Sequence, residues 1–153
     1  MTKTANPKLT MVRTAQVHVT QFTTTSEDYF KEAGVFWMGD SFQAQFLGLE
    51  ITVQESVELA VHQVHQLTEN LPDKEILAEL GDKAKISVSW FRAFLNTNRE
   101  SREWFVFYLV GKDGNLWAVN AHWDTDDGGW HVRADSVKFS IRWIAGSYVV
   151  SRN

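Results

Sequence analysis

Two stretches near the C-terminus restrict this chain more than any other feature of it. In the first, Trp117, Val119, Ala121 and Trp123 alternate with Asn120 and His122; in the second, Trp130, Val132 and Ala134 alternate with His131, Arg133 and Asp135. Successive residues of a strand point to opposite faces, so each stretch reads as a β-strand with one apolar and one polar side. Between them runs Asp124-Thr125-Asp126-Asp127-Gly128-Gly129, a segment of turn-forming residues. Paired as a hairpin, the strands gather Asn120, His122, His131, Arg133 and Asp135 on one outward face over a floor of indoles. Antiparallel sheets with one solvated face show the same alternation with no function attached, so the pattern by itself defines a surface and not a role.

The rest of the chain is read from the same periodicities. Ala15, Val17 and Val19 alternate with Gln16, His18 and Thr20 as a first strand. Ser26 caps a short helix that Gly34 stops, and Phe42, Ala44 and Phe46 alternate as a second short strand before Gly48. Thr52 and Glu55 form a capping box that opens the main predicted helix. Its stripe is Val53, Val57, Ala60, Val61, Val64, Leu67 and Leu71, and Pro72 ends it. Asp73 caps a second helix carrying Ile76, Leu77 and Leu80, closed by Gly81. From Lys85 onward the expectation is β throughout: Ile86, Val88 and Trp90 alternate, 104–110 is a buried strand, and Lys112-Asp113-Gly114-Asn115 is a hairpin turn. The class is therefore α+β.

At 153 residues the chain suits one domain, expected over 13–153 behind a flexible tail, 1–12. Its 44% hydrophobic and 22% charged residues are those of a folded protein. Fifteen basic against nineteen acidic residues give a net charge of -4, which argues against a nucleic-acid partner. No cysteine is present, so disulfides and thiolate chemistry are excluded. Neither a signal-peptide core nor an apolar run of membrane-spanning length is legible, and the expectation is a cytoplasmic protein with no membrane insertion.

Catalytic and metal signatures are weak in this sequence. His62 and His65, with Glu58 one turn before, would share a helix face, but H-E-x-x-H is absent and a core border suits them better. The acidic loop is laid out like a calcium loop, yet Gly128 stands where a third ligand belongs and the last position is Asp135 instead of Glu. There is no P-loop, G-x-S-x-G or G-x-G-x-x-G. The expectation is no enzyme, no catalytic residue, no metal and no cofactor. The alternative is a small α+β enzyme or a pocket-type small-molecule binder using His122 or His131 with a carboxylate such as Asp124 or Asp135. A deep pocket would favour that alternative, and a large flat apolar patch would favour a subunit of a larger assembly.

A resemblance sharpens the first reading. Gly114-Asn115-Leu116-Trp117, then Gly128-Gly129-Trp130, then Trp143 with Ala145-Gly146, and finally Ser151-Arg152-Asn153 resemble the variable region of diversity-generating retroelement target proteins of the archaeal and candidate-phylum type. In that family a template repeat is copied with errors at adenines, and the altered copy replaces the end of the target gene. The resemblance implies a C-type lectin-like fold, two helices packed on antiparallel strands, with the last strand, near 148–150, beside the first and a variable region at about 114–153. Asparagine codons altered at adenines reach Asp, His, Tyr, Thr, Ser, Ile and Arg but never Lys, Glu, Gln, Met or Trp. From Gly114 onward there is no Glu, Gln or Met, and the one lysine is Lys138. Reachable residues are Asn120, His122, Asp124, Thr125, Asp126, Asp127, His131, Arg133 and Asp135, followed by Ser140, Ile141, Arg142, Ile144, Ser147 and Tyr148. These are the expected ligand-binding face. Trp117, Trp123, Trp130 and Trp143 are the expected constant scaffold, while Trp143 and Tyr148 are also the rings expected nearest the surface. Calcium motifs of the Glu-Pro-Asn kind are absent, so the resemblance implies recognition of an unknown ligand, a protein in the first instance, without calcium-dependent sugar binding.

Overall fold

The computed structural model describes residues 8–19, 24–49, 58–139 and 142–152 and is α+β. Its strands are β1 (Leu9–Val19), β2 (Val35–Met38), β3 (Glu58–Leu67), β4 (Leu71–Pro72), β5 (Phe105–Val110), β6 (Leu116–Asp124), β7 (Gly129–Ser136), β8 (Arg142–Trp143) and β9 (Tyr148–Arg152). Its helices are α1 (Glu27–Lys31), α2 (Asp40–Phe46), α3 (Asp73–Leu80) and α4 (Val88–Thr97). Seven strands form one sheet in the order β1-β3-β9-β5-β6-β7-β2, and β4 pairs with β8 in a small separate ladder. Neighbours in the sheet are antiparallel except β5 with β9 and β2 with β7.

Both faces of the sheet are used, and that positions the site. On one face Phe105, Phe107, Val119, Trp130 and Val132 pack against Phe30 of α1, Phe42 and Phe46 of α2, and Phe91 and Phe94 of α4. Trp130 is fully buried, and its Nε1 donates to the Leu95 carbonyl at 2.9 Å, so the indole buries its bulk without orphaning its N–H. On the other face Val106, Tyr108, Ala118 and Val149 pack against Leu71 and Ile76, in a cover built from α3 and the β4–β8 ladder. This cover is smaller than the helical layer opposite.

Several elements differ from the sequence expectation. The main predicted helix is strand β3 over its described part; Val53, Val57 and the Thr52–Glu55 box lie outside the described residues. The strand is buried on both sides, His62 and Val64 toward the phenylalanine layer and Leu67 toward the smaller cover. Double burial erases the alternation that marks a strand. Residues 88–97, expected as strand, form α4, with Ser87 Oγ accepting from Trp90 N and with Phe91, Phe94 and Leu95 at helical spacing. Phe42, Ala44 and Phe46 belong to α2, not to a strand. Residues 9–12, expected within the flexible tail, are part of β1, and residues 1–7 lie outside the described residues. Four helices are present among the described residues instead of two, and β9 lies between β3 and β5, separated from β1 by β3. The short helix after Ser26, the helix carrying Ile76, Leu77 and Leu80 with its Gly81 terminus, and the 112–115 hairpin turn agree with the sequence expectation. Among the described residues no helix is long and apolar enough to cross a membrane.

With β3 a strand, His62 and His65 lie on opposite faces and form no metal pair. His65 Nε2 lies 2.9 Å from Ser151 Oγ. His62 sits edge-on to Trp90 and Phe94 with neither ring nitrogen hydrogen-bonded among the described residues. Burial lowers its pKa from 6.5 to about 4. Between those values the unfolded chain holds a proton that the folded chain does not, so stability is full above pH 6.5 and falls as pH drops through the window. His65, depressed by burial and by Lys83, acts in the same direction. Urea unfolding at pH 7 and pH 4 should show a loss of about 3 kcal/mol from His62, and His62→Leu should remove that share of the acid sensitivity. An unchanged pH dependence in the variant would place its origin elsewhere. Trp130→Ala should lower stability by about 3–5 kcal/mol in the same assay.

Candidate functional site

Strands β6 and β7 pair in the register that the alternation demands, with Asn120 opposite Arg133, His122 opposite His131 and Trp123 opposite Trp130. The side chains of Asn120, His122, His131, Arg133 and Asp135 therefore share a face, and all five line one cleft of about 480 Å³. Trp117 and Trp123 are half-buried on the opposite face against the phenylalanine layer. The cleft opens where the α3 and β4–β8 cover stops short of β7. The five residues were expected on an open, water-facing surface, and here the structure differs. Asn120 is only 7% exposed, His122, His131 and Asp135 are half-buried, and Arg133 alone is exposed, so the polar floor is recessed.

Three tryptophans supply the relief. Trp104 was expected inside a buried strand but immediately precedes β5 and is 53% exposed. Its ring stacks on His122 with centroids 3.9 Å apart and planes 13° from parallel. Trp37, which the sequence reading did not single out, comes from β2. The β2–β7 register shifts between Val35 and Trp37, and this irregularity leaves both Phe36 and Trp37 exposed. The Arg133 guanidinium lies 5.5 Å from the Trp37 ring centroid and the His131 ring lies 5.7 Å from it. A signal for β2 was available in Val35-Phe36-Trp37-Met38, an apolar run bounded by Gly34 and Gly39.

Trp143, expected both as scaffold and as a ring near the surface, is half-buried in the cover and walls the cleft. Its Nε1 donates to Asp73 Oδ1 at 2.6 Å, and the same oxygen accepts the Tyr108 hydroxyl at 2.8 Å. Asp73 is fully buried at the start of α3, where it holds these two rings instead of acting as the expected cap; the N-cap position is Pro72. Burial raises the Asp73 pKa, with the two donors opposing that shift.

At one end of the cleft the hairpin loop is tied by its own carboxylates. Asp124 Oδ1 accepts from Asp127 N at 2.9 Å, and Gly128 N donates to the Asp124 carbonyl at 2.8 Å. His131 Nε2 lies 2.7 Å from Asp127 Oδ2 and 3.9 Å from Asp124 Oδ2. The Asp127 amide holds the Asp124 carboxyl below the usual range, and burial, then His131, holds His122 below the usual imidazole range. Gly129 is required by packing, because a Cβ there would fall 2.6 Å from Phe36 Cβ and 2.9 Å from the Gly34 carbonyl.

The remaining expected face does not converge on this cleft. Thr125 and Asp126 are exposed in the loop. Arg142 donates to the Asn70 carbonyl at 3.3 Å, Ile144 is 71% exposed, and Ser147 lies in the β8–β9 connection. Tyr148 packs on the opposite face of the sheet beside Phe105 and accepts from Gln66 Nε2. Ser140 and Ile141 lie outside the described residues. No family model, curated protein or solved structure matches this chain.

The geometry separates residues that hold the cleft from those that line it. Asp73→Ala should cost about 1–3 kcal/mol by leaving Tyr108 and Trp143 without their acceptor, and it should alter tryptophan emission as Trp143 loosens. Arg133→Ala should change stability by less than about 0.5 kcal/mol. Thermal denaturation of the pair checks this, and a large loss for Arg133→Ala would contradict an exposed floor residue.

Proposed function

We propose that this chain is a non-catalytic ligand-binding module whose recognition site is the cleft over β6 and β7, with a polar floor that is exchangeable on a constant frame. One observation carries the reading: Asn120, His122, His131, Arg133 and Asp135 line a single cleft and are all residues that adenine-directed change of asparagine codons can produce, while its walls, Trp37, Trp104 and Trp143, are not. Diversification of 114–153 by a retroelement gives this division its origin. A C-type lectin-like fold belongs to the same proposal. In its favour, β1 and β9 share one sheet and the polar face rises from C-terminal strands. The four helices and the interposed β3 are where this chain departs from it.

The partner is a projecting loop of another protein that places a planar or aromatic group between the indoles. Interchangeable polar contacts over rigid aromatic anchors suit such recognition, because the anchors supply area at small entropic cost. A second reading, a pocket for a small molecule, is favoured by the recessed shape: about 480 Å³ falls within the roughly 300–1,000 Å³ of ordinary ligand pockets. His122, His131 and Asp135 would then orient that molecule.

Two measurements test the proposal. Sequencing the DNA beside the gene should reveal a near-copy of the stretch encoding 114–153, differing chiefly at adenines and close to a reverse-transcriptase gene; without that repeat the diversification part fails. A surface-displayed library randomised at His122, His131, Arg133 and Asp135 should stay mostly folded and yield binders to unrelated proteins. General loss of folded display would refute an exchangeable floor, and selected small-molecule binders without protein binders would favour the pocket reading.

A further inference from the structure

No metal site is expected from the sequence of this chain. Pairing of β6 with β7 nevertheless brings two imidazoles and two carboxylates to one end of the cleft. His122 and His131 are directly opposite each other across the strands, and Asp124, two residues beyond His122, shares their face. One donor atom from each of His122, Asp124 and His131 lies within 4.8 Å of the other two. Asp127 is already within 2.7 Å of His131. A second observation is independent of this clustering: His122 Nδ1 is buried with no hydrogen-bond partner among the described residues. A buried imidazole nitrogen without a partner is costly unless something occupies it.

We propose that His122, Asp124 and His131 bind a divalent transition-metal ion of the zinc class, with Asp127 completing or supporting the set. Imidazole with carboxylate is a donor set that suits zinc and its neighbours better than calcium or magnesium, which take oxygen shells. Zinc holds such donors at about 2.0–2.2 Å, which in a tetrahedron separates them by roughly 3.2–3.6 Å. The 3.9 Å between His131 Nε2 and Asp124 Oδ2 is close to that spacing, and the 4.8 Å limit closes by small side-chain rotations. Asp127 and the cation compete for the same His131 nitrogen, so binding moves the Asp127 carboxylate to the ion or to a hydrogen bond beside it. Both imidazoles line the cleft, whereas Asp124 stands at the loop end, so the shell is open toward the space walled by Trp37 and Trp104. An anionic group on whatever enters the cleft would complete it.

The site is local to the hairpin, so it is tested without any cleft ligand, and its failure would leave the library experiment of the preceding proposal untouched. Untagged full-length protein titrated with zinc sulfate in a calorimeter should bind one ion per chain at micromolar concentration. Cobalt(II) in its place should show the intense visible absorption of a four- or five-coordinate site. His122→Ala and His131→Ala should each weaken zinc at least about tenfold, and Asp127→Asn by about 10–100-fold if it supports the shell, while His18→Ala leaves binding unchanged. Asp124→Asn preserves side-chain size, and circular dichroism of each variant separates lost ligation from lost folding. Binding weaker than millimolar, or equal binding by folded His122→Ala and His131→Ala proteins, overturns the proposal.

Discussion

The register between β6 and β7 is the constraint on which the rest of the structure depends. With Trp123 fixed opposite Trp130, every indole of the hairpin turns toward the phenylalanine layer, while Asn120, His122, His131, Arg133 and Asp135 turn the other way. A slip of one residue would exchange the two sets, driving histidines and an arginine into the core. Burial of Trp130 against Phe105 and the hydrogen bond to Leu95 make that slip costly. Order at the polar face is thus inherited from order on its reverse side.

A second constraint lies in the cover. Asp73 is a buried carboxylate that takes two hydrogen bonds through one oxygen, from a tyrosine of the sheet and a tryptophan of the β4–β8 ladder. Such a group is costly to bury and is held only by its donors. It therefore ties α3, β5 and β8 together at the place where the cover ends, and the edge of the cleft is defined by polar chemistry as well as by apolar packing.

The β6–β7 hairpin was legible in the sequence because both of its strands carry polar residues on one side, and period-two alternation survives only under that condition. β3 was not legible, because histidine and valine on one side and leucine on the other are buried together, and their spacing imitates a helical stripe. The β-branched Val61 and Val64 were the contrary hint. α4 was missed for the converse reason: Ile86, Val88 and Trp90 alternate across the helix start, and the informative spacing, Phe91 to Phe94 and Leu95, begins one residue later. Of the site, the floor was read from alternation and the walls were not. Trp37 and Trp104 reach the cleft through strand pairings distant in sequence, and local periodicity carries no record of those.

The close approach of β2 to Gly129 has an implication at the level of the genetic code. The position tolerates no side chain, and the neighbouring positions of greatest packing demand are indoles. Tryptophan has a single codon, TGG, without adenine, and the glycine codons can contain adenine only at their silent third base. A copying process that errs at adenines would thus pass over the residues this fold cannot lose, with no selection needed to protect them. The nucleotide spelling of the hairpin would itself keep its skeleton intact while the decoration changed.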